Sequence, residues 1–252
     1  MKELKPVTMI GNTFEEVKEL YDKIIEFIDY DKSLINKIDE KFFIDPASSR
    51  YHNSLPHGLL FHSINTAIFM YRYLFFIRSN KMMDYMNELS DEEFQQYLKD
   101  GVFSGLFHDY CKVNTYVDEE DLTESQRGKI VYECSKHNID SNDYLKNLGK
   151  KSGSDFIDNI IKGNIDKLDS IKKQYLWKDK FNVGHGEKSV IQLLRLGFNL
   201  TDHQIIGIRF HMMGLDSEWN TFRQEAFHEY LGSIPMLRTL YLADVTTGLL
   251  YE

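Results

Sequence analysis

The sequence predicts an all-α fold carrying a small β-hairpin insert. Apolar residues recur with a helical period through most of the 252 residues. Only four prolines interrupt them. Ser/Thr-x-x-Glu signatures, which close a helix N-terminus by reciprocal hydrogen bonds, stand ahead of several of the apolar runs.

Thr13 with Glu16 makes the first capping box, and Phe14, Val17, Leu20, Tyr21, Ile24 and Ile28 then form one stripe. This helix is expected to cover the core from outside. Residues 31–56 read as irregular, with breaks at Asp45-Pro46 and Leu55-Pro56. A long apolar helix is predicted from 58 to about 79. His62, Asn65 and Arg72 within it are costly at bilayer depth, so it reads as a buried core helix and not as a membrane span.

Ser90 and Glu93 open a helix expected to run to about Lys112, with Phe103, Leu106, Phe107 and Tyr110 on its buried face. Val113–Val117 and Lys129–Glu133 read as the two strands of the hairpin. Residues 137–173 are polar, but Ile157, Ile160, Ile161, Ile165 and Leu168 fall at helical spacing, as in a surface helix or lid. Helices are then expected from His185 to about Leu196, from Thr201 to about His211, over 217–231, and from Pro235 onward. No repeat or linker divides the chain, so it reads as one domain over 1–252. Residues 1–44 form an N-terminal helical extension of it, and 113–180 an insert or lid.

Hydrophobic content of 42% and charged content of 27% are ordinary for a soluble globular protein. A net charge of −9 disfavours a dedicated binder of long nucleic acid, which needs a basic face. The first residues lack the apolar segment of a secretory signal, which points to the cytoplasm. The two cysteines, Cys111 and Cys134, make no disulfide framework, and Cys111 reads as a reduced core thiol before it reads as a ligand or nucleophile.

The chemistry concentrates on six residues. His108 and Asp109 offer a nitrogen and a carboxylate oxygen from one turn of backbone. His62, His185, His211 and Asp244 each lie in or beside an apolar helical stretch. Imidazoles and carboxylates rarely sit in such places unless they are paired or bind metal. Four imidazoles with two carboxylates suit iron, manganese, nickel or zinc better than calcium, and the absence of thiolates argues against a structural zinc site. Lys112 follows Asp109 by three residues, on the same helix face, where a solvated helix-end lysine is the alternative reading.

The order His62, His108-Asp109, His185, His211, Asp244 resembles the HD-domain metal-dependent phosphohydrolases, whose pattern is His…His-Asp…His…His…Asp. Leu106–Lys112 is similar to that family's His-Asp-x-x-Lys helix, and His57-Gly-Leu-Leu-Phe-His62-Ser63 to its Gly-Gly-Leu-x-x-His entry. Asp179–Ser189, Leu200–Asp202 and Ile208–Met212 resemble a bacterial and phage branch. The likeness covers roughly residues 45–250. It departs at Tyr51-His52, where the family doubles histidine, and at His57-Gly58, where it doubles glycine. That leaves His57 as an extra imidazole without an assigned role.

The resemblance implies an HD-type helical bundle and two divalent transition-metal ions. One would be held by His62, His108, Asp109 and Asp244. The other would share Asp109 and add His185 and His211. Lys112 would neutralise substrate phosphate, and His52 would donate to phosphate or to the leaving oxygen, with a plain loop histidine as the alternative. The implied activity is hydrolysis of a phosphoester or phosphoanhydride in a small phosphorylated substrate: a nucleotide, cyclic nucleotide or short oligonucleotide. The alternatives are a non-catalytic metal- or nucleotide-binding regulatory protein on the same fold, and a 3′–5′ exonuclease.

Overall fold

The computed structural model describes residues 1, 3–49, 53–178, 181, 183–212 and 234–250. The helix expected over 217–231 and the candidate His52 lie outside these residues. The chain forms two compact units, Met1–Thr115 with Asp179–Glu252, and Tyr116–Lys178.

The first unit is helical. Its helices are α1 (Phe14–Ile28), α2 (Lys32–Ile35), α3 (Gly58–Ser79), α4 (Asp84–Glu88) and α5 (Asp91–Phe107). The second unit holds α6 (Glu124–Lys136), α7 (Asn142–Asn147) and α8 (Lys150–Ile161). The first resumes with α9 (His185–Leu196), α10 (Asp202–Phe210) and α11 (Pro235–Leu250). Among the described residues, no helix is long and apolar enough to cross a membrane.

Helix α3 is the axis of the first unit. Every residue from Gly58 to Met70 is buried, on all faces of the helix. A helix that is apolar all round must be surrounded, and α5 and α11 supply its most extensive contacts, with α1 outside. The capping box of α1 forms as read: Thr13 Oγ1 accepts from the Glu16 N–H at 3.3 Å, and Glu16 accepts from the Thr13 N–H at 2.8 Å. Those of α5 and α10 form in the same way.

Two glycines set the spacing of the site-bearing helices. A Cβ on Gly105 of α5 would lie 2.8 Å from Met70 Cγ and 2.9 Å from the Ala67 Cα of α3. A Cβ on Gly186 of α9 would lie 2.2 Å from the Ile208 carbonyl oxygen of α10. Each glycine stands beside a candidate ligand, His108 in one case and His185 in the other.

Helix α5 is shorter than the sequence suggested. It closes at Phe107, and a 3-10 turn follows over Tyr110–Lys112. The Gly105 carbonyl, which a continuing α-helix would give to the Asp109 N–H, is instead met by His108 Nδ1 at 2.9 Å, and beyond it the Cys111 N–H donates to Ser189 Oγ of α9 at 3.0 Å.

The second unit contains the expected small antiparallel sheet, but with a different partner strand. Tyr116–Asp118 (β1) pairs with Tyr175–Trp177 (β2) in the register Tyr116 to Trp177, Val117 to Leu176 and Asp118 to Tyr175. Lys129–Glu133 lies inside α6. The overlooked signal is the capping box of Thr123 and Gln126. It places Ile130 and Cys134, four residues apart, on the buried face and leaves Val131 and Tyr132 exposed. Leu122, Ile130, Cys134, Leu148, Phe156, Ile160 and Leu168 give this unit its own core.

Buried Glu119 ties the sheet to α8. It accepts from the N–H groups of Lys151, Ser152 and Gln174 at 2.7, 2.9 and 2.7 Å and from the Ser152 hydroxyl. Burial pushes its carboxyl up, but these donors outweigh burial and hold it below the usual glutamate range.

A pair of glycine substitutions tests the close approach of α3 and α5. Ala gains at most ~1 kcal/mol of helix propensity over Gly, whereas forcing a methyl into a packed core costs ~1–3 kcal/mol. Gly105→Ala is therefore expected to lower stability. At Gly128 of α6, where a Cβ meets nothing within 4 Å, Gly128→Ala is expected to raise it. Urea midpoints that move in the same direction for both variants would contradict this packing account.

Candidate metal site

Four helices and one turn bring the site together. His62 comes from the second turn of α3, and Asp244 from the middle of α11. His108 and His211 occupy the C-caps of α5 and α10. Asp109 and Lys112 bracket the 3-10 turn. His62, His108 and His211 are fully buried, and Asp109 is 2% exposed. The Asp244 and Lys112 side chains are 18% and 11% exposed, which makes theirs the more accessible side of the group.

The donor atoms converge. His62 Nε2 lies 3.2 Å from His108 Nε2, 3.0 Å from Asp244 Oδ1 and 3.6 Å from Asp109 Oδ2. His108 Nε2 is 3.5 Å from both Asp109 Oδ2 and Asp244 Oδ1. His211 Nε2 is 3.5 Å from Asp109 Oδ1. Two overlapping groups could each hold a metal ion: His62, His108 and Asp244, and His108, Asp109 and His211. With ligand bonds of about 2.0–2.2 Å, the edges of a tetrahedral or octahedral shell run from roughly 2.8 to 3.6 Å. The observed separations fall in that interval.

The two C-cap histidines use the same device. His108 Nδ1 contacts the Gly105 carbonyl at 2.9 Å, and His211 Nδ1 contacts the Ile208 carbonyl at 2.6 Å. A carbonyl only accepts, so in each ring Nδ1 carries the proton and donates. When the ring is neutral, its Nε2 lone pair then faces the cluster. This is how an outer contact orients a metal-binding imidazole. His211 Nε2 and Asp109 Oδ1 are buried and face each other, yet neither has a hydrogen-bond partner among the described residues. Buried polar atoms rarely stay unpaired, and a cation between them would satisfy both. The residues present therefore fit a divalent transition metal.

Charge is balanced inside the cluster. Burial pushes the Asp109 carboxyl up, but the Lys112 ammonium, 2.5 Å from Oδ2, and then His108 and His211 hold it well below the usual range. Burial likewise raises Asp244, and His108 and His62 outweigh it and keep that carboxyl well below its ordinary value. Burial lowers His62, and the neighbouring carboxylates do not make up the difference. Burial also lowers His211, but there Asp109, Asp244 and the Ile208 carbonyl prevail, and its pKa lies above the ordinary imidazole value.

The remaining sequence candidates are placed as follows. Lys112 is ion-paired and mostly buried, which removes the solvated helix-end reading. His185 heads α9 with its Nδ1 3.6 Å from Cys111 Sγ, and it belongs to neither of the two donor groups. Burial pushes the Cys111 thiol up to about 12, as befits a core thiol and not a nucleophile. His57 takes a left-handed backbone conformation, φ 68°, and its Nδ1 meets the Phe43 carbonyl at 2.6 Å, so it serves the entry to α3. His203 pairs with the Tyr85 hydroxyl at 3.0 Å. Sequence reasoning gave Ser189 and Thr115 no part in the site; Ser189 meets the 3-10 turn from 78 positions away, and Thr115 from four.

Comparison of the chain with protein-family models, with curated proteins and with solved structures finds no match in any of the three.

The opposite shifts of His211 and His62 set the pH behaviour. A raised histidine pKa contributes stability that is complete below the unfolded value of about 6.5 and is lost as pH rises through the folded value. The lowered His62 acts only below about 6.5, where the unfolded chain takes up the proton first. Metal-free protein is therefore expected to lose stability as pH rises above about 6.5 through the raised His211 value. Zinc affinity is expected to rise over the same interval, because ligand imidazoles bind metal when neutral. His211→Gln should flatten the stability slope. Urea and zinc titrations across this range would contradict the assignment if metal-free stability increased with pH.

Proposed function

We propose that this chain is a divalent-metal-dependent phosphohydrolase of the HD type, acting on a phosphoester or phosphoanhydride of a nucleotide, cyclic nucleotide or short oligonucleotide. The observation that carries the reading is the buried convergence of His62, His108, Asp109, His211 and Asp244, in the order and residue types that the HD pattern requires. Asp109 turns one oxygen toward His62 and His108 and the other toward His211, as expected of a carboxylate shared by two ions. His62, His108 and Asp244 would hold the first ion, and His211 the second, with His185 added on the strength of the sequence pattern. When bound, the ions would supply Lewis-acid activation of water and neutralise charge on the phosphoryl oxygens.

The protein groups have separate tasks in this reading. His108 and His211 stay oriented by their helix carbonyls. Asp109 keeps its charge below the usual carboxylate range, with Lys112, His108 and His211 outweighing its burial. Lys112 lies on the accessible side and carries the mobile cation. It neutralises Asp109 when no substrate is present and swings its ammonium to a phosphoryl oxygen when one arrives. A nucleotide-sized phosphate ester suits a site of this kind because the cluster offers positive charge without a protein nucleophile: the one nearby thiol, Cys111, stays protonated.

The test is product release from a panel of nucleotides, cyclic nucleotides and short oligonucleotides after manganese or iron loading, with bound metal counted in the same samples. Turnover that disappears in Asp109→Asn is expected. Lys112→Ala is expected to keep its metal but to lose roughly ten- to a hundredfold in kcat/KM, the value of one charge-assisted contact. Lys112→Arg should restore only part of it, because a planar fork replaces a point charge. Metal-replete protein inert toward the whole panel would favour a binding role over catalysis. Wild-type kinetics in Lys112→Ala would remove that residue from the mechanism.

A further inference from the structure

Cys111 is the middle residue of the turn that separates Asp109 from Lys112, and side chains from elsewhere hold both of its backbone polar groups. Its N–H donates to Ser189 Oγ at 3.0 Å. Its carbonyl accepts from Thr115 Oγ1 at 2.7 Å, and Thr115 Oγ1 in turn accepts from Lys188 Nζ at 3.2 Å. Its thiol lies 3.6 Å from His185 Nδ1. Three residues of the first turn and a half of α9 thus converge on one residue, Cys111: Ser189 on its N–H, Lys188 through Thr115 on its carbonyl, and His185 on its thiol. Ser189 and Thr115 are almost completely buried, and Lys188 is 5% exposed, so water does not compete for these contacts.

We infer that Ser189 is a positioning residue that holds the 3-10 turn after α5 and so sets the Asp109–Lys112 ion pair, with Thr115 and Lys188 holding the carbonyl of the same residue, Cys111. The physical reason is competition for one donor. With Ser189 Oγ present, the Cys111 N–H leaves the helical pattern, and the Lys112 N–H makes a 3-10 bond to the Asp109 carbonyl at 2.9 Å. Without it, the buried N–H must find another acceptor, and the nearest regular one is the Phe107 carbonyl. Taking that bond would wind the turn toward the α-helical pattern and move Asp109 and Lys112 from their present partners.

The geometry does not depend on the proposed function; only the consequence for metal rests on that reading. The two are separated by reading the ion pair and the metal independently. Nitrogen-15 NMR of the lysine ε-ammonium groups in metal-free protein is expected to show a slowly exchanging Lys112 signal in wild type, identified by its absence in Lys112→Arg. The signal should be lost or shifted in Ser189→Ala and kept in Ser189→Thr, which preserves the hydroxyl. Thr115→Val should weaken it too, and add little in the double variant, because both hold the same residue, Cys111. Manganese affinity should fall about ten- to a hundredfold in Ser189→Ala, as for other contacts that orient a ligand. Should Ser189→Ala prove too unstable to study, Ser189→Cys carries the same ammonium readout. An unchanged Lys112 signal in these variants would overturn the inference. A changed signal in a protein that binds no metal would uphold the inference and remove the proposed function.

Discussion

The carboxylate of Asp109 is the group around which the first unit is arranged. It is almost fully buried and charged. An isolated buried carboxylate costs so much that it takes up a proton instead of staying ionised. Here three imidazoles and an ammonium surround it, so ionisation is the favoured state. Every element that reaches the cluster brings either a positive group or a group able to share a cation. Removing one partner would leave the remaining charge uncompensated, so α3, α5, α10 and α11 are coupled through this one site.

Helix ends do the aiming. A C-cap histidine can use its own i−3 carbonyl as the acceptor for Nδ1–H, and those carbonyls lack helical partners. His108 and His211 both do so, which satisfies the backbone and fixes the direction of Nε2 in a single contact. The negative end of the helix dipole favours a positive charge at the same place. At His211 burial lowers the pKa, but the Asp109 and Asp244 carboxylates and the Ile208 carbonyl outweigh it, and the pKa rises. At His62, in the second turn of α3, burial outweighs the neighbouring carboxylates, and the pKa moves the other way.

Close backbone approach supplies the remaining precision. Gly105 lets α5 lie against Ala67 of α3, which brings His108 within reach of His62. Gly186 lets the start of α9 lie against the last residues of α10. The same helix α9 then reaches the 3-10 turn through Ser189. The candidate site is thus built on helices whose separations are fixed by backbone contact and not by adjustable side chains, which suits a group of donors that must hold distances to a few tenths of an ångström.

What the sequence alone determined follows from local physics. Period, capping residues and the scarcity of proline specified α1, α3, α9, α10 and α11 closely, because those signals act within a few residues. The pairing of chemistry-bearing residues with apolar stretches pointed to His62, His108, Asp109, His185, His211 and Asp244, and the structure gathers all but His185 into the donor groups. Tertiary structure decided the rest. Lys129–Glu133 reads as a strand by its β-branched and aromatic residues, yet the capping box ahead of it and the small core around Ile130 and Cys134 make it helix. Its expected place in the sheet goes to Tyr175–Trp177, more than forty residues further on. Beyond the end of α5, the Cys111 N–H goes to a serine 78 positions away, a hydrogen bond that no local pattern records.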